Sequence, residues 1–205
     1  MRIIAGKLKG STIHFPKNKI TRPLKDRARE SIFNLLIHSN KISFQFEESN
    51  ILDLYSGTGS FGLECLSRQA RRVCFVEKEE IAKKILEKNI EELKVKKSVD
   101  IFFGDVFDLI KKQNIFKSKF NLIFCDPPFK DTNIDKLLKL IFSVNLLHEN
   151  GILVLHRNKN TKKKLPNYFK IIDDIKKNTD EKFTTQLNSN IDKVEEFLQT
   201  LKKGV

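Results

Sequence analysis

"NILDLYSGTGSFGLECLSR", residues 50–68, passes from a short apolar run through three glycines into a second apolar run. The first run has the length of a buried strand, and the second, "SFGLECLSR", has that of a short helix. Glycines at 57, 59 and 62 make a G-x-G-x-x-G turn between them. Such spacing permits a tight turn, close approach of backbone to a ligand, and close packing of helix on strand. The same alternation continues downstream. "RRVCFV", "VDIFF", "FNLIFC" and "GILVLH" read as strands, while "KEEIAKKILEKNIEELK", "VFDLIKKQ" and "NIDKLLKLIFSV" read as helices. Strands that alternate with helices build right-handed crossovers and a parallel sheet covered on both faces. The fold class expected is therefore α/β, a Rossmann-like, doubly wound, mostly parallel sheet. "YFKIIDDI" and "KFTTQL" are expected to close it as an antiparallel pair around "KKNTDE", with "IDKVEEFLQTLKK" as a terminal helix.

Upstream of residue 50 the pattern changes. "RIIAG" and "STIHF" flank "KLKG" as a β-hairpin, and "TRPLKDRARESIFNLLIHS" reads as a helix entered at Thr21 with Pro23 in its first turn. Leu24, Ala28, Ile32, Leu35 and Leu36 mark its apolar face, leaving Lys25, Arg27 and Arg29 for other faces. Residues 39–49 form a linker. Two parts follow: a small basic hairpin-plus-helix extension over 1–40, and the sheet domain over 41–205.

Charge is distributed unevenly over these parts. Of the net +13, residues 1–30 carry +7 and residues 155–205 carry +5, so the middle is nearly neutral. A neutral centre with basic flanks suits a core that handles a small molecule and ends that meet a polyanion. No apolar run approaches the roughly 18 residues of a membrane span, and "MRIIAGKLKG" is no signal peptide. Cys65, Cys74 and Cys125 lie in apolar surroundings without C-x-x-C spacing and read as reduced core residues. The four histidines are scattered, so no metal is expected. These features describe a cytoplasmic protein with no membrane association, expected to act as a monomer.

Acidic residues recur where strands end: Asp53, Glu77, Asp105 and Asp126. A dinucleotide would place its pyrophosphate over the glycine turn, where Asp53 would repel it. S-adenosylmethionine carries an ammonium and ribose hydroxyls but no phosphate, and it matches this acidic series better. Glu77 is placed for the ribose, and Asp105 with the Val106 N–H for the adenine. A helix N-cap is the competing reading of Asp105. "FCDPPF", residues 124–129, ends the fourth strand on Asp126, Pro127 and Pro128. Neither proline can extend a strand, and each holds its predecessor out of the α region. The corner is stiff, with carbonyls that no local N–H claims. The bland reading of such a corner is a rigid turn. Cys125, one residue earlier, points away from the Asp126 side by strand alternation.

"DLYSGTGSFGLE" with "FVE", "GDV" and "DPPF" resembles the class I S-adenosylmethionine-dependent methyltransferases, and Asp-Pro-Pro-Phe resembles the members that methylate exocyclic or amide nitrogens. "MRIIAGKLKG" with "TRPLKDRARESIFNLL" and "LDLYSGTGSFGLECLSR" is similar to the RsmD family, bacterial enzymes that methylate the N2 amine of a guanine in small-subunit (16S) ribosomal RNA. The resemblance covers about residues 1–156. It implies a catalytic corner of Asp126, Pro127, Pro128 and Phe129. It implies cofactor contacts from Asp53, Leu54, Ser56, Gly57, Thr58, Gly59, Gly62, Glu77, Lys78, Asp105, Val106 and Asp126. It also implies 16S ribosomal RNA or the assembling small subunit as partner, with Arg2, Lys7, Lys9, Arg22, Arg27 and Arg29 gripping phosphates. An adenine-N6 methyltransferase shares the corner chemistry. A nicotinamide oxidoreductase and a non-catalytic RNA-binding module are the readings from other classes.

Overall fold

The structure is a computed structural model of the chain, and it describes residues 1–16, 24, 26–112, 115–128, 133–158, 169–176 and 181–188. Seven strands lie in one sheet in the order β3-β2-β1-β4-β5-β7-β6. They are β1 (Asn50–Leu54), β2 (Arg72–Glu77), β3 (Val99–Phe103), β4 (Phe120–Cys125), β5 (Leu147–Asn158), β6 (Phe169–Lys176) and β7 (Glu181–Asn188). β1 to β5 are parallel, and β7 pairs antiparallel with both β5 and β6. The doubly wound sheet and its antiparallel closing pair are thus as the alternation of apolar runs predicts. The terminal helix expected over "IDKVEEFLQTLKK" lies outside the described residues. Among those residues, no helix is long and apolar enough to cross a membrane.

The central strands are buried on both faces, and period-2 alternation divides their side chains between two cores. Ile51, Val73, Phe75, Leu122, Phe124, Ile152 and Val154 face one cluster. Helices α1 (Asp26–His38), α2 (Ser60–Ser67) and α3 (Glu80–Glu92) supply its other side. Leu52, Leu54, Cys74, Val76, Ile123, Cys125, Leu153 and Leu155 face the opposite cluster, with α4 (Val106–Lys111) and α5 (Ile134–Ser143). Cys125 is accordingly buried in core on the face away from Phe124.

The N-terminal segment joins the first of these cores. Ile3, Ile13, Leu24, Ala28, Ile32, Phe33 and Leu36 belong to the same cluster as α2 and the sheet. The two arms of the hairpin meet at an antiparallel bridge between Arg2 and Thr12, with Ile3 N donating to Ser11 O (3.0 Å) and Ile13 N to Met1 O (2.9 Å). Helix α1 starts at Asp26 rather than at Thr21; Leu24 is not helical, and residues 17–23 lie outside the described set. Asp26 stands in the first turn, where a carboxylate favours the positive end of the helix dipole.

A buried carboxylate docks the hairpin onto α2. All eight residues of α2 are buried, Glu64 completely. Its Oε2 accepts from Ile4 N (2.7 Å), and its Oε1 accepts from Ala5 N (3.0 Å) and Arg68 Nε (3.0 Å). One turn on, Ser67 O accepts from Lys7 N (2.8 Å) and Ser67 Oγ from Leu8 N (3.0 Å). Gly6, at φ +83°, lies so close to the Ser67 carbonyl that a Cβ there would collide with it. Only glycine permits both the backbone angle and the approach.

Removing a carboxylate that accepts from two backbone N–H groups and an arginine leaves those donors without their acceptor, at about 1–3 kcal/mol for each that stays out of water. Glu64→Leu should therefore lower the urea midpoint by a loss of about that size and open the hairpin to protease. An unchanged midpoint would mean that the hairpin docks by apolar contact alone.

Candidate active site

Strand order reverses between β1 and β4, and in open α/β sheets ligands bind beyond the strand ends at such a switch point. A small open cleft lies there. The glycine turn lines it with Ser56, Gly57, Thr58 and Ser60, and Asp53 and Asp126 line it from the ends of β1 and β4. Phe15, Leu24, Tyr55, Phe61 and Phe124 give it an apolar wall. Phe61 and Phe124 stack with centroids 3.9 Å apart, and Phe33 of α1 stacks on Phe61 at 5.0 Å. An aromatic column thus runs from the N-terminal helix to the strand that carries Asp126.

Three acids converge around the turn. Glu77 is held by backbone alone: its Oε2 accepts from Gly57 N (2.6 Å) and its Oε1 from Lys78 N and Glu79 N (both 2.8 Å). A carboxylate with three donors is fixed in place, and it retains lone pairs for a further donor. Asp53 is 1% exposed, and its Oδ2 accepts from Gly62 N (3.0 Å). Burial pushes the Asp53 carboxyl well above the usual carboxylate range. The nearby Asp126 and Glu77 add to the rise, and the Gly62 N–H opposes it. A cation beside Asp53 would relieve both causes. Asp126 is 20% exposed at its side chain, and its Oδ1 lies 2.7 Å from His156 Nδ1.

The residues present fit S-adenosylmethionine. The buried hydroxyls Ser56 Oγ and Thr58 Oγ1 line the cleft without a hydrogen-bond partner among the described residues. A buried polar atom left unpaired is costly, and a polar ligand would satisfy both. Gly57 has φ +56°, and among the described residues, its chain neighbours apart, nothing lies within 4 Å of where a Cβ would stand, so a ligand can lie directly against its backbone. The acids supply acceptors for an ammonium and for ribose hydroxyls.

Other expected contacts stand elsewhere. A Cβ on Gly62 would press into Phe75 and Val73, and its N–H is taken by Asp53, so it serves helix–strand packing. Gly59 likewise backs onto Leu86 and Phe75. The Leu54 side chain is in the core on the α4–α5 side. Asp105 caps α4, accepting from Phe107 N (2.9 Å), and its other oxygen pairs with Lys78 Nζ at 3.6 Å. Asp105 is the N-cap of α4, and neither Asp105 nor Val106 is among the residues lining this cleft. Pro127 is buried and Pro128 exposed, while Phe129 lies outside the described residues.

The basic set needs one correction. Arg29 is fully buried, with Nη2 donating to Arg2 O (2.6 Å) and Asp26 Oδ1 (3.0 Å), and Nη1 to Ser60 O (3.5 Å). Burial lowers its pKa, while Glu64 and Asp26 oppose the shift. It cannot reach an RNA phosphate and instead ties the hairpin to the start of α2. The sequence pattern assigns Arg29 to another face of the helix; in the structure it shares the buried stripe with Ile32, Phe33 and Leu36. Arg2, Lys7, Lys9 and Arg27 are exposed, and Arg22 lies outside the described residues. Two polar residues have no sequence signal. Asn89 of α3 is buried, accepts from His14 N (2.8 Å), and donates to His14 O (3.2 Å) and Thr58 O (3.0 Å). It clamps the hairpin exit to the glycine turn. His156 is the other.

Comparison with known proteins places this arrangement. The family model described as conserved hypothetical protein 95 matches residues 1–196. Ribosomal RNA small subunit methyltransferase D of Haemophilus influenzae is 31% identical over 161 residues, 78% of this chain and 79% of that protein. The protein of the same name from Buchnera aphidicola subsp. Baizongia pistaciae is 32% identical over 165 residues, covering 80% and 79%. A solved structure described as "Putative methyltransferase yhhF from Escherichia coli" superposes with TM-score 0.79 at 21% identity, over 93% of this chain and 98% of that one. An RNA methyltransferase from Salinibacter ruber in complex with S-adenosyl-L-homocysteine has TM-score 0.61 at 16% identity, over 82% and 95%. These two structures share the fold.

S-adenosylmethionine affinity, measured by calorimetry, should fall on Glu77→Ala by about 1.5–3 kcal/mol, the worth of a charged hydrogen bond. Gly57→Val should block binding by filling the cleft. Affinity should also rise with pH. Below its raised pKa Asp53 is neutral and cannot pair with an ammonium; above it the carboxylate can. Asp53→Asn should bind more weakly and flatten that dependence. A wild-type affinity that does not change as pH rises above the ordinary carboxylate range would take the ammonium away from Asp53.

Proposed function

The chain belongs to the RsmD family, whose model is described as conserved hypothetical protein 95, and we propose that it methylates the N2 amine of a guanine in small-subunit ribosomal RNA. It is an S-adenosylmethionine-dependent ribosomal RNA methyltransferase by family and fold. The observation that carries the finer reading is Asp126, a carboxylate at the switch-point cleft, two residues beyond the Phe61–Phe124 stack.

When bound, the cofactor supplies an electrophilic methyl group; the chain's own residues do the rest. A guanine 2-amino group is a poor nucleophile because its lone pair is delocalised into the ring. Hydrogen bonds from its two N–H groups to Asp126 and to the Pro127 carbonyl favour the rehybridised nitrogen and aim its lone pair. Phe129 stacks against the base. Orientation of this kind accounts for a large part of the rate in such a transfer. After transfer the amine is cationic and must lose a proton, to Asp126 or to water. A base paired in a duplex must first be flipped or unpaired to reach the cleft.

The division of labour follows the two parts of the chain. Residues 1–40 form the RNA-contacting extension, through Arg2, Lys7, Lys9, Arg22 and Arg27, and residues 41–205 form the transfer domain. Its docking on α2 through Glu64 sets the basic hairpin at a fixed distance from the cleft. The protein acts in the cytoplasm as a monomer on 16S ribosomal RNA or the assembling subunit, with no metal.

Mass spectrometry of nucleosides from small-subunit RNA should show loss of an N2-methylguanine in a strain lacking this protein. Loss of an N6-methyladenine instead would replace guanine by adenine as the target. In vitro, Asp126→Ala and Phe129→Ala should lower kcat much more than they lower cofactor affinity. Full turnover in Asp126→Ala would remove its role as amine acceptor. A combined Arg2→Ala, Lys7→Ala and Lys9→Ala change should weaken RNA binding and flatten the slope of log K against log salt. The expected reduction is about 0.7–0.9 for each phosphate that the variant no longer neutralises. An unchanged slope would make the hairpin a solvated surface only.

A further inference from the structure

We infer that His156 is a positioning residue for methyl transfer, one that sets which oxygen of Asp126 faces the target amine; this rests on the role proposed for Asp126 above. The geometry begins with register. β4 and β5 pair Phe124 with Val154 and Cys125 with Leu155, so the next step brings Asp126 level with His156. Alternation puts both on the side of Phe124 and Val154, the face of the cleft. His156 is 4% exposed, and its Nδ1 lies 2.7 Å from Asp126 Oδ1. An ionised carboxylate can only accept, so the imidazole carries a proton on Nδ1.

The bond has a consequence for chemistry. Two prolines after Asp126 stiffen its backbone but leave its χ1 and χ2 free, and a carboxylate able to rotate presents its lone pairs in no fixed direction. A donor on Oδ1 from a buried ring on the adjacent strand stops that rotation and leaves Oδ2 for the amine. The same bond disperses negative charge where it accumulates, since Asp126 and Glu77 both act on buried Asp53. A hydrogen bond to a charged group from a fixed, buried donor is among the stronger ones available. His156 touches neither cofactor nor base in this scheme and works only through Asp126.

The test compares two substitutions in the full chain. His156→Leu removes the donor at similar volume, and His156→Asn keeps an N–H close to where Nδ1 stands. His156→Leu should lower kcat about ten- to a hundredfold, the cost of a misplaced reacting group, with S-adenosylmethionine affinity unchanged. His156→Asn should restore most of that loss. Equal losses in both variants, full rate in His156→Leu, or loss of cofactor affinity together with rate would each overturn the inference. A second measurement needs no activity. Nitrogen NMR of the labelled wild-type protein should show the His156 proton on Nδ1, and a proton on Nε2 alone would overturn the inference directly. A wild-type protein inactive on ribosomal RNA would instead defeat the proposed function, leaving the spectrum to decide the Asp126–His156 bond.

Discussion

Acid groups buried at the edge of a parallel sheet must find donors, and this requirement organises the molecule. A carboxylate taken out of water unpaired is costly enough to unfold a domain of ordinary stability. Here each acid is met by a specific partner. Glu77 takes the amides that shape the glycine turn, and Asp53 takes the Gly62 amide. Glu64 takes the hairpin, and Asp126 takes His156. The donors are mostly backbone, so satisfying the acids also sets the path of the chain around the cleft.

That requirement also explains why the N-terminal segment is inseparable from the cleft. Glu64 sits on the helix launched by the glycine turn, and its acceptors are filled by Ile4 and Ala5. Arg29 reaches from α1 to Arg2 O and Ser60 O, and Asn89 binds His14 and Thr58 together. Phe33, Phe61 and Phe124 continue the link through stacked rings. The hairpin is therefore tied to the residues that line the cleft by hydrogen bonds and packed aromatics.

The Asp-Pro-Pro corner shows how little local sequence suffices to prepare a reactive geometry, and where it stops sufficing. Proline stiffness ends β4. Period-2 alternation sends Cys125 to one core and places Asp126 on the opposite face. The direction of the carboxylate itself is decided by β5, thirty residues later in the chain.

Much of the fold was legible because its signals are local. Apolar runs of strand length, the glycine turn and alternating amphipathic segments name the elements, and short connections with right-handed crossovers leave few ways to order them. Strand-end acids are equally visible, since a carboxylate after an apolar run marks the carboxyl edge. What only the tertiary structure decided are the partners. Arg29 and Arg27 look alike as basic residues of one helix, yet one is buried and the other exposed, because burial depends on which stripe of α1 faces the core. Gly57 and Gly62 share one motif, yet the first opens on the cleft and the second packs on Phe75, because the strand passes beneath only one of them. His156 and Asn89 gain their roles from strand register and helix packing, contacts between residues far apart in sequence, and no local pattern encodes these.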